Sequence, residues 1–216
     1  MIVPNVSLCI KENKVHYTPY DPYNGYDYVD LGLPSGLLWA TCNVGATNPE
    51  DDGLYFAWGE TTGYADAAAR NTATGGSGGF DYTSYDNGQT TSISANLTSS
   101  NDAATVNLGG PWRMPTHSEF QELINSDNTD KEWTTINGVS GYKFMKKSDH
   151  SVYVFLPASG YWSGIQNGYG SEGNYWASTF RDSSKAYSLY FYSERVDTYN
   201  NRSRHFGYPV RAVADA

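Results

Sequence analysis

The plainest pattern of apolar and polar positions lies near the end of the chain. From Ala186 to Tyr192 the residues alternate, and a period of two marks a strand whose successive side chains point to opposite faces. The alternation puts Tyr187, Leu189 and Phe191 on one face and Ser188, Tyr190 and Tyr192 on the other. The Leu/Phe face belongs in a core, so the Ser/Tyr face is expected to be presented outward. An aromatic anchor, Tyr175-Trp176, precedes this strand. A polar loop, Asp197 to Arg204, follows it, and a second apolar run spans Gly207 to Val213. Trp176, Leu189, Phe191, Gly207 and Val210 read as frame. Interleaved with them is a displayed set rich in Tyr, Arg, Ser, Asp and Asn: Phe180, Arg181, Asp182, Ser188, Tyr190, Tyr192, Arg195, Asp197, Tyr199, Asn200, Asn201, Arg202, Ser203, His205 and Phe206. These residues are expected to share one exposed face.

Upstream, one helix stands out. Thr116 with Glu119 three residues later is a capping-box signature. Phe120, Leu123 and Ile124 then fall at i, i+3 and i+4, one apolar helical face. The pattern predicts a helix over about 116–126. Pro34-Ser35-Gly36 separates two apolar runs and predicts a hairpin, with Leu37 to Asn43 as a buried strand. Asn137-Gly138 reads as a turn, and Tyr142–Met145 and Val152–Pro157 read as strands paired around Asp149-His150. Residues 1–26 carry little periodicity and are expected to be an extended leader to a domain spanning 27–216. From Thr61 to Asn107 Gly, Ser, Thr, Ala and Asn dominate, which predicts a long surface insertion with short ordered pieces.

Composition narrows the class. Of 216 residues only 17% are charged while 15% are aromatic, with 19 Tyr and 22 Gly. That balance suits an irregular, helix-poor, β-rich protein of an extracellular or virion setting. The net charge of −9 lacks the basic field that phosphate neutralisation needs, which argues against a nucleic-acid partner. Locally the sign reverses, because Arg181, Lys185, Arg195, Arg202 and Arg204 outnumber Asp182, Glu194 and Asp197 between Phe180 and Phe206. No apolar run approaches the roughly 20 residues of a membrane span, so no direct membrane insertion is expected. No signal peptide is visible either. The expected location is extracellular or at a cell surface, with signal and anchor outside this sequence, or on a phage virion.

Several ordered motifs carry a resemblance. YVDLGLPSGLLWATCNVGATNPED, YFAWGET, DAATVNLGGPWRMPTHSEFQELI, YWAST, AYSLYF and FGYPVRAV together resemble the Fibrobacter succinogenes major paralogous domain family. That family is similar to the formylglycine-generating-enzyme-like branch of the C-type lectin fold. The resemblance runs from about Tyr28 to the C-terminus. It implies an α+β, C-type-lectin-like fold in which N- and C-terminal strands pair and long loops display a ligand surface. Some members look like targets of diversity-generating retroelements, which rewrite a C-terminal variable region at adenines. The products of asparagine-like codons include Asn, Tyr, Ser, Asp, Phe, His, Arg and Thr, and 180–206 is dense in them; Lys185 and Glu194 depart from that set.

Catalytic readings find little support in the residues. A formylglycine-generating oxidase needs a reactive cysteine pair binding copper in its C-terminal half, whereas the two cysteines here are Cys9 and Cys42. Cys42, inside an apolar run, reads as a buried thiol, with a Cys9–Cys42 bridge as the alternative. His16, His117, His150 and His205 are scattered without ligand spacing. No G-x-S-x-G elbow marks a nucleophile. Asn48-Pro49-Glu50 reverses the order of a calcium-lectin loop, and with Asp51 and Asp52 reads as an acidic turn. Trp39, Trp58, Trp112 and Trp176 are expected in the core, with Trp162 as the exposed aromatic. The sequence therefore predicts a non-catalytic binding domain without cofactor or metal, its partner a protein or glycan on another cell or virion surface. The alternatives are a fixed structural or adhesin-type paralogue and, more remotely, a formylglycine-generating-type enzyme.

Overall fold

A computed structural model describes residues 23–80 and 92–216. The expected leader lies outside them except for its last four residues, as do Cys9, His16 and the middle of the insertion. The chain is β-rich with few helices, an α+β architecture.

Strands β1 (Tyr28–Asp30) and β2 (Leu38–Asn43) form the hairpin that Pro34-Ser35-Gly36 predicts. After β3 (Tyr55–Phe56) the insertion contributes two short helices. The first, α1 (Ala67–Thr74), is capped by the Asp66 side chain accepting from the Ala69 N–H, and the second, α2 (Ala103–Leu108), by Asp102 accepting from Thr105. The insertion is thus not wholly superficial: Phe80, Ala103 and Ala104 are buried. Alanine carries too weak a hydrophobic signal to announce that burial in sequence. The predicted helix is α3 (His117–Ile124), slightly shorter than expected because Asn125 already turns extended. Its capping box is complete, with Thr116 accepting from the Glu119 N–H and the Glu119 carboxylate accepting from the Thr116 N–H at 2.7 Å.

A meander follows, β4 (Thr129–Ile136), β5 (Val139–Lys146) and β6 (Asp149–Pro157). The β4–β5 turn is Asn137-Gly138 with φ of 49° and 87°, the doubly left-handed conformation that matches strand twist in a tight hairpin. A small hairpin, β7 (Tyr161–Ser163) and β8 (Ile165–Asn167), leads into β9 (Glu172–Phe180), β10 (Lys185–Tyr192) and β11 (Arg195–Ser203), an antiparallel sheet in the order β11-β10-β9. Finally β12 (Tyr208–Pro209) pairs with β3, and β13 (Arg211–Ala214) pairs with β2, so the two ends of the described fold share one sheet.

Two cores result, and the strand period explains them. On β9, Tyr175 and Ala177 enter one cluster with Trp39, Phe120, Leu123, Phe144 and Leu156, while Trp176 enters a second with Phe56, Trp58, Trp112, Met114 and Tyr208. The strands β2 and β13 divide their side chains in the same way. Strands buried on both faces read as continuous apolar runs, as Leu37–Ala40 does and as Val210–Val213 does apart from Arg211. Trp39, Trp58, Trp112 and Trp176 are buried as expected, and so are Leu189, Phe191, Gly207 and Val210. Arg211 is buried too, its guanidinium donating to the Asn43 side chain at 3.0 Å and the Thr41 carbonyl at 2.9 Å.

Two expectations need correction. Trp162 is half-buried, not exposed: its ring stands edge-on to Tyr55 with centroids 6.3 Å apart, and its backbone pairs with Gly207. Cys42 is half-buried, its thiol directed to the Thr47 carbonyl at 3.6 Å, and it forms no disulfide among the described residues.

Candidate ligand-binding face

The sheet of β9, β10 and β11 positions the predicted site residues. In register, Tyr190 stands opposite Asn174 on one side and Asp197 on the other, and Tyr192 stands opposite Glu172 and Arg195. Directly paired residues share a face, so Tyr190, Tyr192, Arg195 and Asp197 lie together. A bulge between Ala186 and Ser188 restores Arg202 to that face, where its guanidinium sits 4.8 Å from the Tyr190 ring centroid. The Tyr190 and Tyr192 rings are 5.9 Å apart, and Arg195 pairs with Asp197 beside them. Opposite faces of the same strands send Leu189 and Phe191 into the first core.

Ser188 departs from its expected exposure. It has the predicted parity but is fully buried, because strand parity fixes which face a side chain shares and not what covers that face. Here Trp176, its cross-strand partner, is stacked on Tyr208 at 4.2 Å, so β12 and the second core cover the Ser188 end and leave the Tyr190–Tyr192 end accessible.

The remaining predicted residues fall in three places. Arg181 and Asp182 occupy the β9–β10 turn, where the Asp182 carboxylate accepts from the Ser184 and Lys185 N–H groups at 2.9 Å. Those backbone donors hold its carboxyl below the usual carboxylate range. Phe180 is half-buried against Trp58, serving as frame. Near the far end of β11, Lys185 donates to the Ser203 hydroxyl at 3.2 Å. His205 and Phe206 extend the aromatic patch: their rings are 4.7 Å apart, and Phe206 lies 5.3 Å from Tyr161. The side chains of Tyr199, Asn200 and Asn201 lie outside the described residues. The displayed set is therefore split, and its coherent part is Tyr190, Tyr192, Arg195, Asp197 and Arg202.

Sequence reasoning missed four contributors. Arg204 looks like its neighbouring arginines in sequence, yet it is buried against the Trp58 and Phe180 rings, 4.3 and 4.9 Å from their centroids, and donates to the Ile93 carbonyl at 2.9 Å. It fastens the insertion to the β9–β10 turn. Asn174, Tyr208 and Tyr161 surround the covered end of the face. Asn174 and Tyr208 are fully buried, and the Asn174 Oδ1 and Nδ2, the Ser188 Oγ and the Tyr208 hydroxyl lack hydrogen-bond partners. Each such group costs roughly 1–3 kcal/mol when unpaired. The polar residue immediately before an aromatic pair, Asn174-Tyr175-Trp176, was the one available signal.

Among the described residues no group of three or more His, Cys, Asp or Glu is arranged to hold a metal ion, and no helix is long and apolar enough to cross a membrane. His117 instead joins α3 to the sheet, its Nε2 3.0 Å from the Thr198 hydroxyl and its ring 4.2 Å from that of Tyr187. Burial pushes its pKa down.

The model of a family described as a domain of unknown function (DUF8237) matches residues 128–213. This segment runs from the edge of β4 into β13 and so contains the whole candidate face. No curated protein matches the chain, and no solved structure does.

Proposed function

We propose that this chain is a non-catalytic, C-type-lectin-like binding domain, displayed on a cell surface or virion, whose β9–β11 face engages a protein or glycan. The observation that carries the reading is the juxtaposition on one sheet face of Tyr190, Tyr192, Arg195, Asp197 and Arg202, backed by a core face of Leu189 and Phe191. Tyrosine and arginine on rigid supports supply aromatic contact area at low entropic cost together with adaptable hydrogen bonding. The exposed positions can change without disturbing the packed ones, which suits the diversified surface of a retroelement target. The resemblance of YVDLGLPSGLLWATCNVGATNPED and FGYPVRAV to the paralogous family, and the pairing of β2 with β13, favour the lectin-like assignment.

The test is a display library randomised at Tyr190, Tyr192, Arg195, Asp197 and Arg202 and selected against hen lysozyme as a model protein. Folded members that bind lysozyme are expected; a library whose members mostly fail to fold would sink the reading. The diversification claim has its own test in the neighbouring DNA, which should hold a reverse-transcriptase gene and a near-copy of the codons for the β9–β12 segment differing at adenines. Without that template the fixed-paralogue reading stands in its place.

A further inference from the structure

The covered end of the face holds a set of polar atoms that the frame does not use. Asn174 is the cross-strand partner of Tyr190, and Ser188 that of Trp176, so both project to the side on which Tyr190 lies. The Tyr208 ring lies over that side, stacked on Trp176. All three residues are fully buried, and both polar atoms of the Asn174 amide, the Ser188 Oγ and the Tyr208 hydroxyl are without hydrogen-bond partners. Buried polar groups in native proteins are nearly always satisfied. These orphan atoms lie on the face that Tyr190 shares, where a polar group of a ligand that reached them would satisfy them.

We propose that Asn174, Ser188 and Tyr208 form a polar subsite on the face of Tyr190 that takes a primary carboxamide of the ligand. The proposal rests on the reading of the face as a ligand surface. The chemistry selects the group. The Asn174 side chain presents a donor and an acceptor side by side, so its complement must do the same. A carboxylate only accepts and would leave Oδ1 unpaired, and an ammonium only donates and would leave Nδ2 unpaired. A primary carboxamide, with its C=O and one N–H on the same side, pairs with both in one plane, and the Ser188 and Tyr208 hydroxyls, each donor and acceptor, can take its remaining hydrogen-bond capacity. Tyr190, the cross-strand partner of Asn174, is half-buried on the same face with Arg202 against its ring, and entry to the subsite would require that ring to rotate aside.

The experiment follows the Asn174 side-chain N–H₂ resonances of the full chain by NMR during titration with acetamide, N-acetylglucosamine, glucose and acetate. Saturable shifts are expected with acetamide and not with N-acetylglucosamine, glucose or acetate. A response to acetamide alone marks a carboxamide of the kind an Asn or Gln side chain of a protein ligand presents. Ser188→Ala, which removes a buried unpaired hydroxyl and is expected to melt no lower than the parent, should weaken probe binding by roughly tenfold. Asn174→Leu should abolish the response. The assignment is overturned if no probe shifts Asn174, if N-acetylglucosamine, glucose or acetate does so as well as acetamide, or if Ser188→Ala binds unchanged. It is equally overturned if the orphan atoms contact only long-lived structural water. Failure of the randomised library with acetamide still bound would refute the face and spare the subsite; the converse would refute the subsite alone.

Discussion

At Gly173 a single hydrogen in place of a side chain lets two strands close. A Cβ built there would stand 1.9 Å from the Phe191 ring, its cross-strand partner. That ring cannot swing away, being stacked on Tyr175 at 6.0 Å and set edge-on to Tyr142 and Trp133 at 5.4 and 6.3 Å. Overpacking of this kind costs roughly 1–3 kcal/mol. Gly173→Ala should therefore lower the midpoint of a urea unfolding curve with its slope unchanged; a midpoint equal to wild type would show that the ring has room. Sequence alone names Gly173 as a glycine before an aromatic pair. It does not say that Phe191 lies over it, because that contact depends on register between strands.

At the scale of elements, α3 shows how a local signal gains a distant partner. Thr116 and Glu119 are legible as a cap in sequence. The structure adds Arg113, which donates to both Glu119 oxygens at 2.8 and 2.7 Å and also reaches Asp215 at 2.9 Å. Burial raises the Glu119 pKa, but the donors from Arg113 and Thr116 outweigh it and the net displacement is downward. A folded-state pKa below the unfolded one means that stability is fully present above the ordinary carboxylate range and is lost as pH falls through the lowered value. Glu119→Gln should cost roughly 1–3 kcal/mol at neutral pH. Its deficit relative to wild type should shrink in melts run below about pH 4.5. A pH-independent deficit would point to shape, not charge. Arg204 makes the matching case for the insertion. Arg204→Lys keeps the charge but loses the planar guanidinium that lies against Trp58 and Phe180 and donates to Ile93. It should cost about 1–3 kcal/mol and speed hydrogen exchange at Leu97, whose N–H donates to the Ser178 carbonyl at 2.9 Å. Unchanged exchange there would detach Arg204 from the holding of the insertion.

For the whole molecule, the decisive feature is that β13 closes the fold from the far end of the chain. Val213 enters the first core and Val210, Ala212 and Ala214 the second, while Arg211 fills its donors on β2. A chain ending at Pro209 would open both cores together. It should show no cooperative melt by circular dichroism, and a sharp transition in that truncated chain would contradict the two-core reading.

Elements whose evidence is local could be read from the residues: the hairpin at Pro34-Ser35-Gly36, the capping box of α3, the Asn137-Gly138 turn, and the alternation that splits Leu189 and Phe191 from Tyr190 and Tyr192. Capping, turn conformation and strand parity are properties of a few consecutive residues, so the sequence by itself determined them. Ser188, Trp162, Ala103 and Arg204 were not legible, because their placement depends on what another part of the chain lays over them. Parity assigns Ser188 to the face of Tyr190, but only the docking of Tyr208 on Trp176 buries one and leaves the other half-exposed. Tertiary structure alone decided which part of the Tyr/Arg face stays open and which polar atoms lie sealed beneath it, since burial is set by packing between segments far apart in sequence.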